Sequence, residues 1–381
     1  MNRQFSLYLD AVRFSAAVGV LFSHFVMQRW TGGAFPVKAS EFFGQVGVDL
    51  VMVFFVLSGF VIAYTVEIKD KCWSDYAFSR ATRMYSVALP AIVIAFFFDR
   101  SGAALNPEAY DGWWYAEHSL TELFLRGASF TNEFWAAPFR MGSNGPYWSL
   151  GYEVWYYVLF GFAAFSKGLI RLAAFTAVLL LAGPGIALLG VVWMMGVFLY
   201  RLMGKERRAR LSNGGVIAAS LAAGLPIAMY FAARLFDLND VLFEMSFRVA
   251  ADLGLQGAVG RAELFIWHWF VGALVGVHFW SVAMLLRNRP GEAPQWLSRP
   301  IRWLAGASFS IYLVHYPVMQ ALHAILAGDP ASPYRMALMA ALTLALCLVF
   351  AELFERPLPT FRRQLRGLAA QFSSASTRIA S

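Results

Sequence analysis

Runs of about 20 consecutive apolar residues recur along most of this chain, and they limit its fold more than any other feature. A run of that length crosses bilayer hydrocarbon as an α-helix, because a helix satisfies its own backbone polar groups there. The runs extend from Leu7 to Met27, Val46 to Val66, Met84 to Phe98, Tyr147 to Ser166, Gly168 to Gly183, Ile186 to Leu202, Gly215 to Ala233, Leu264 to Leu286, Leu304 to Leu326 and Met336 to Phe354. Pro184-Gly185 reads as the turn between two of them. Composition agrees: 59% of residues are hydrophobic and 14% charged, against the roughly 25% charged that a soluble surface calls for. The fold class expected is all-α, a polytopic transmembrane bundle of about ten spans over residues 1–366. A Ser-rich segment, 367–381, reads as a disordered cytoplasmic tail.

The first run is too long for a signal-peptide core and lacks a small-residue cleavage site, so it is read as a mature helix. The stretch from Asp240 to Arg261 carries Asp240, Glu244, Arg248 and Asp252 and reads as an amphipathic surface or re-entrant element rather than a span. An even number of spans puts both termini on one side. With the N-terminus in the cytoplasm, 21 of the 31 Lys and Arg residues fall in cytoplasmic segments and nine in exterior ones. This asymmetry is the positive-inside signature and gives an N-in, C-in topology. It also accounts for the net charge of +8 without nucleic acid, since these cations face anionic lipid. Two cysteines, Cys72 and Cys347, provide no disulfide framework.

An ionisable residue inside a span costs roughly 3 kcal/mol, so function is sought where such residues cluster. The first helix holds Asp10, Arg13 and His24. Arg13 and His24 are about three turns apart on one face, separated by about 16 Å, and Asp10 lies one turn from Arg13 and neutralises it. A snorkelling Arg and an interfacial His is the competing reading; together on one stripe they favour a polar pathway across the membrane. Asp49, at the outer end of the second helix, lies at the depth of His24 and either orients the imidazole as a general base or caps its own helix. Arg80 and Arg83, one turn apart on the cytoplasmic side, form a phosphate clamp or a positive-inside anchor. Ser149 and Glu153 share a helix face, and His315 sits at mid-membrane beside Pro317 as a packing residue or a second base. Spacings typical of metal sites, Walker loops and esterase nucleophile elbows are absent from the sequence, so no metal is expected.

These residues fall in short motifs: Leu9-Asp10-Ala11-Val12-Arg13 with His24; Gly47-Val48-Asp49 with Phe54-Phe55-Val56-Leu57-Ser58-Gly59-Phe60; Arg80-x-x-Arg83; Tyr147-Trp148-Ser149-Leu150 with Glu153; Ser310-x-Tyr312-Leu313-x-His315-x-Pro317; and Glu355-Arg356-Pro357. In this order they resemble the acyltransferase-3 family of membrane O-acyltransferases. Ala11 and Phe14 stand where the family usually has glycine, and one Glu, Glu153, stands where it often has two. The resemblance implies a multi-pass protein of the bacterial cytoplasmic membrane. It implies transfer of an acyl group, most often acetyl, from cytoplasmic acyl-coenzyme A as co-substrate to a hydroxyl of a cell-envelope or exported carbohydrate. On that reading Arg13, Arg80 and Arg83 hold coenzyme A, and its pantetheine arm follows the first-helix stripe to His24. His24 is the base, oriented by Asp49 or Glu153. Asp10, Ser58, Trp148, Ser149 and His315 contact the acyl group or acceptor. A small secondary metabolite such as a macrolide is an alternative acceptor. A transporter or flippase without acyl transfer is the alternative function, although the spans show no internal pseudo-symmetry.

Overall fold

A computed structural model describes residues 2–136, 139–205, 212–287 and 291–379. Among them the chain is helical with no strand. The principal helices are α1 (Arg3–Phe25), α2 (Val37–Ile68), α3 (Trp73–Leu105), α4 (Leu120–Ala128), α5 (Trp148–Phe165), α6 (Gly168–Ala182), α7 (Pro184–Lys205), α8 (Asn213–Leu235), α9 (Leu238–Asp252), α10 (Phe265–Arg287), α11 (Gln295–Ala305), α12 (Ser308–Ile325), α13 (Pro333–Phe350) and α14 (Leu358–Ile379). Every apolar run falls on one of them.

Local chemistry sets several boundaries. The Asn2 side chain caps α1 by accepting from the Gln4 backbone N–H at 2.9 Å. Ser119 and Glu122 form a reciprocal capping box at α4. Between α6 and α7 the break lies at Gly183, whose φ of 89° suits glycine. Pro184 then opens α7 instead of turning the chain with Gly185, because a residue lacking an N–H is at home in the first helical turn. The run from Met84 to Phe98 proves to be the centre of a 33-residue helix, extended at both ends by residues too polar to show as a span. The segment around Asp240–Asp252 is the short helix α9, which buries Ser246 and Ala250 and is not among the spans. The backbone of α14 is helical to Ile379, through the segment whose composition suggests disorder.

Seven helical segments among the described residues are long and apolar enough to cross a membrane: α1, α2, α3, α7, α8, α10 and the stretch beginning with α13. Of the other runs, α6 has 15 residues. Helices α5 and α12 have 18 each, and their polar residues lower their hydropathy. Helix α12 is enclosed by α1, α3 and α13 and is buried from Ser308 through Ala321 except for Phe309. A helix that meets protein on all sides can carry groups that lipid would exclude. A π-helical turn, Ala351–Glu355, ends α13 and places Glu355 beside the start of α12. There its carboxylate accepts from the Ser310 backbone N–H and hydroxyl, both at 2.8 Å, and from Arg83 at 3.0 Å.

Helices α2 and α7 approach until backbone meets backbone. A Cβ at Gly59 would collide with the Trp193 carbonyl, and one at Gly196 with the Val56 carbonyl. Gly196→Ala is therefore expected to destabilise the protein by about 1–3 kcal/mol, seen as a lower Tm in detergent. Gly224→Ala, where nothing lies within 4 Å of the added carbon, should leave Tm unchanged or raised. Equal melting of Gly196→Ala and wild type would contradict the close approach.

Candidate active site

Two cavities meet inside the bundle. The first, about 160 Å³, lies between α1, α2, α3, α5 and α12 and is lined by Arg13, Arg80, Arg83, Ser58, Ser149 and Glu153. Arg13 comes from α1 and Arg80 and Arg83 from one turn of α3, and each guanidinium is held by a carboxylate. Arg13 lies 3.4 Å from Asp10, the one-turn pairing its spacing demands, and donates to the Ala305 carbonyl at 2.9 Å. Arg80 pairs with Asp70 at 3.1 Å and Arg83 with Glu355 at 3.0 Å. Opposite them runs a hydrogen-bonded chain. Trp193 Nε1 donates to Ser58 Oγ at 3.2 Å, Ser58 donates to the Tyr157 hydroxyl at 3.2 Å, and Tyr157 donates to Glu153 at 2.5 Å. An anion entering this arginine cavity finds three cations already oriented, the arrangement that phosphate groups require.

The second cavity, about 170 Å³, is lined by His24, Val48, Trp148, Tyr316 and residues of three loops. Here the structure joins two histidines that the sequence leaves separate. His24 Nδ1 lies 2.9 Å from His315 Nε2, and His315 Nδ1 lies 2.8 Å from the Ile311 carbonyl. A carbonyl only accepts, so His315 Nδ1 carries the proton and its Nε2 is an acceptor. His24 Nδ1 is then the donor between the rings. The remaining nitrogen, His24 Nε2, keeps its lone pair and has no hydrogen-bond partner among the described residues. This chain of donors assigns the tautomer of both rings.

Three expectations about the site are corrected. Asp49 does not reach His24: its carboxylate accepts from Tyr230 at 2.8 Å and Trp267 Nε1 at 2.7 Å and pairs with Arg234. Gly47, Val48 and Val51 face the histidine cavity, and Asp49 projects from another side of α2, where α8 supplies a cation for a buried carboxylate. Glu153 likewise bonds Tyr157 and lines the arginine cavity, away from the imidazole. Nor is the polar stripe on α1 continuous, because Arg13 and His24 line different cavities. Val51 and Tyr312 belong to both walls. The Tyr312 hydroxyl, 2.7 Å from Ser149 Oγ and donating to the Pro146 carbonyl at 3.1 Å, holds the partition closed.

Nothing in the sequence pointed to the loop residues of the histidine cavity, Trp113, Trp114, Arg140 and Arg261, since solvent-side loops show no periodicity and no misplaced charge. Tyr312 lies within the Ser310-x-Tyr312-Leu313-x-His315-x-Pro317 motif, and its position four residues after Ser308 and three before His315 was the available signal. Glu133, in the loop after α4, is buried, and burial pushes its carboxyl up to about 7 in spite of Arg261, 4.0 Å away.

The Asp49–Arg234 pairing predicts coupled stability. Asp49→Ala leaves a buried guanidinium without its carboxylate and is expected to cost about 3–5 kcal/mol, read from chemical unfolding in detergent. Asp49→Ala combined with Arg234→Ala should recover part of that loss. A double variant as unstable as the sum of the two single ones would reject the coupling.

A family model described as an acyltransferase domain matches residues 6–352 of the 381-residue chain. No curated protein and no solved structure matches it.

Proposed function

Because the chain belongs to the acyltransferase-3 family and is thereby an acyltransferase, we propose that it moves an acyl group, acetyl in the simplest case, from cytoplasmic acyl-coenzyme A to a carbohydrate hydroxyl, with His24 as the general base. The observation that carries this reading is the His24–His315 pair, which fixes a lone pair on His24 Nε2 toward a cavity. The positive-inside distribution supports placing the arginine cavity toward the cytoplasm and the histidine cavity toward the exterior of a bacterial cytoplasmic membrane.

In this mechanism Arg13, Arg80 and Arg83 hold the phosphates of coenzyme A in the arginine cavity, and the pantetheine arm reaches the partition. Rotation of Tyr312 away from Ser149 and Pro146 opens the two cavities to each other and admits the thioester to the acceptor. His24 Nε2 takes the proton of the acceptor hydroxyl as its oxygen attacks the thioester carbon. The tetrahedral intermediate then collapses, the C–S bond breaks, and the proton passes from His24 to the departing sulfur, giving the ester and coenzyme A. While His24 is protonated, its Nδ1–H donates to the His315 lone pair, so a neutral imidazole fills the orienting role expected of Asp49. No covalent acyl-enzyme is required, and Ser58 and Ser149 serve as hydrogen-bonding wall residues.

Coenzyme A release by the purified protein, supplied with acetyl-coenzyme A and a panel of cell-envelope glycans, tests the reading. His24→Ala is expected to lower kcat by about 10²–10⁴-fold. His315→Ala should also lower kcat, and the pair of substitutions should cost little more than His24→Ala alone, since the second ring acts through the first. Arg80→Ala with Arg83→Ala should raise KM for acetyl-coenzyme A about tenfold or more, the loss expected for charge-assisted hydrogen bonds. Turnover by His24→Ala at the wild-type rate would remove it as the base, and an unchanged KM in the arginine variant would remove the clamp.

A further inference from the structure

Acyl transfer to a neutral sugar leaves unused the positive charge of the histidine cavity. Arg140 and Arg261 line its wall, and among the described residues no carboxylate does. Arg140 stacks over Trp113, 4.9 Å from the ring centre, and has no hydrogen bond or ion pair among the described residues. Arg261 has one acidic neighbour, Glu133, at 4.0 Å and off the cavity wall. A third guanidinium, Arg29, packs between Trp114 at 4.0 Å and Trp30 at 4.1 Å and donates to the Tyr316 hydroxyl. Glu133 acts on both Arg261 and Arg140, so these guanidinium groups share one carboxylate that lies off the wall, and the cavity keeps a positive field that an anionic ligand complements. The rest of the wall is aromatic: Trp113, Trp114, Trp148, Tyr312 and Tyr316. Flat apolar faces beside guanidinium forks suit a ring that carries a carboxylate or phosphate.

We propose that this cavity selects a negatively charged carbohydrate as acceptor, with Arg140 and Arg261 binding its carboxylate or phosphate group and Trp113 and Trp114 flanking the ring. The inference rests on the acyl-transfer reading of the cavity, and it names the acceptor class. Anchoring the anion on the loop side turns the far edge of the ring toward α1 and presents a hydroxyl to His24 Nε2. Selection then comes from orientation as well as affinity, because a neutral sugar binds the aromatic wall in several poses.

The test begins with binding, which needs no turnover. The full-length protein in detergent is titrated with a glucosyl–glucose disaccharide, with its glucuronosyl counterpart and with its 6-phosphate, following tryptophan fluorescence. At least one charged ligand should bind about tenfold or more tightly than the neutral one, the contribution of a charge-assisted hydrogen bond; comparison of the two shows which anion the cavity takes. Arg140→Gln and Arg261→Gln should each remove most of this preference, with neutral-ligand binding and KM for acetyl-coenzyme A unchanged. Tm should be unchanged for Arg140→Gln, since Arg140, unlike Arg261, has no ion pair among the described residues. Absence of any difference between charged and neutral ligands overturns the inference. So does an equal fall in kcat for charged and neutral acceptors with binding intact, which assigns the guanidinium groups to the reaction itself. A retained preference for the charged ligand with no coenzyme A release from any acceptor leaves the selectivity standing and removes the acyl-transfer reading instead.

Discussion

In hydrocarbon a polar group must find its partner within the protein, and helix α12 is where this requirement organises the bundle. It carries Ser308, Ser310, Tyr312, His315 and Gln320 through the interior, all of them buried. Each is answered by a different partner: Ser308 by the Ala305 carbonyl, Ser310 by Glu355, Tyr312 by Pro146 and Ser149, His315 by His24 and Ile311, and Gln320 by Trp30 and the Ala109 carbonyl. Such bonds are worth little individually but are expensive to leave unmade, so they fix the rotation and height of α12 relative to its neighbours. The more apolar helices around it isolate this polar axis from lipid.

Both cavities are consequences of that axis. Tyr312 separates them and His315 sets the tautomer of His24, while Glu355, bonded at the start of the same helix, also holds Arg83 in the arginine cavity. A single helix thus touches the arginine cavity, the partition and the histidine pair. This gives a physical reason for two cavities where one seam is expected: the Tyr312 and Ser149 hydroxyls at the centre bond one another and close the gap. The same logic separates Asp49 from catalysis. A carboxylate buried between α2, α8 and α10 is tolerable only beside a cation, and Arg234 supplies it.

The loops contribute differently. Trp113, Trp114, Arg140 and Arg261 come from three separate segments between the principal helices. Their side chains complete a cavity whose floor is built by helices. On the proposed reading, reaction chemistry and acceptor choice occupy separate layers, the first on rigid elements and the second on loops, a division that lets selectivity change without disturbing the proposed base.

The sequence alone determined the helices, because apolar length is a property of contiguous residues, and each run falls on one. It marked Arg13, Ser58, Ser149 and Glu153, since a polar residue inside an apolar run announces its cost without reference to any neighbour, and Arg80 and Arg83 by their one-turn spacing beside a span; all six converge on one cavity. It placed His24 and His315 in the interior but not together. Pairing between helices some 290 positions apart depends on which faces pack, and no helix records that by itself. The partner of Asp49, the closing of the seam at Tyr312 and the charge contributed by the loops were decided only by tertiary structure. Each is a choice among several possible partners, and the choice is made by the packing that buries the group.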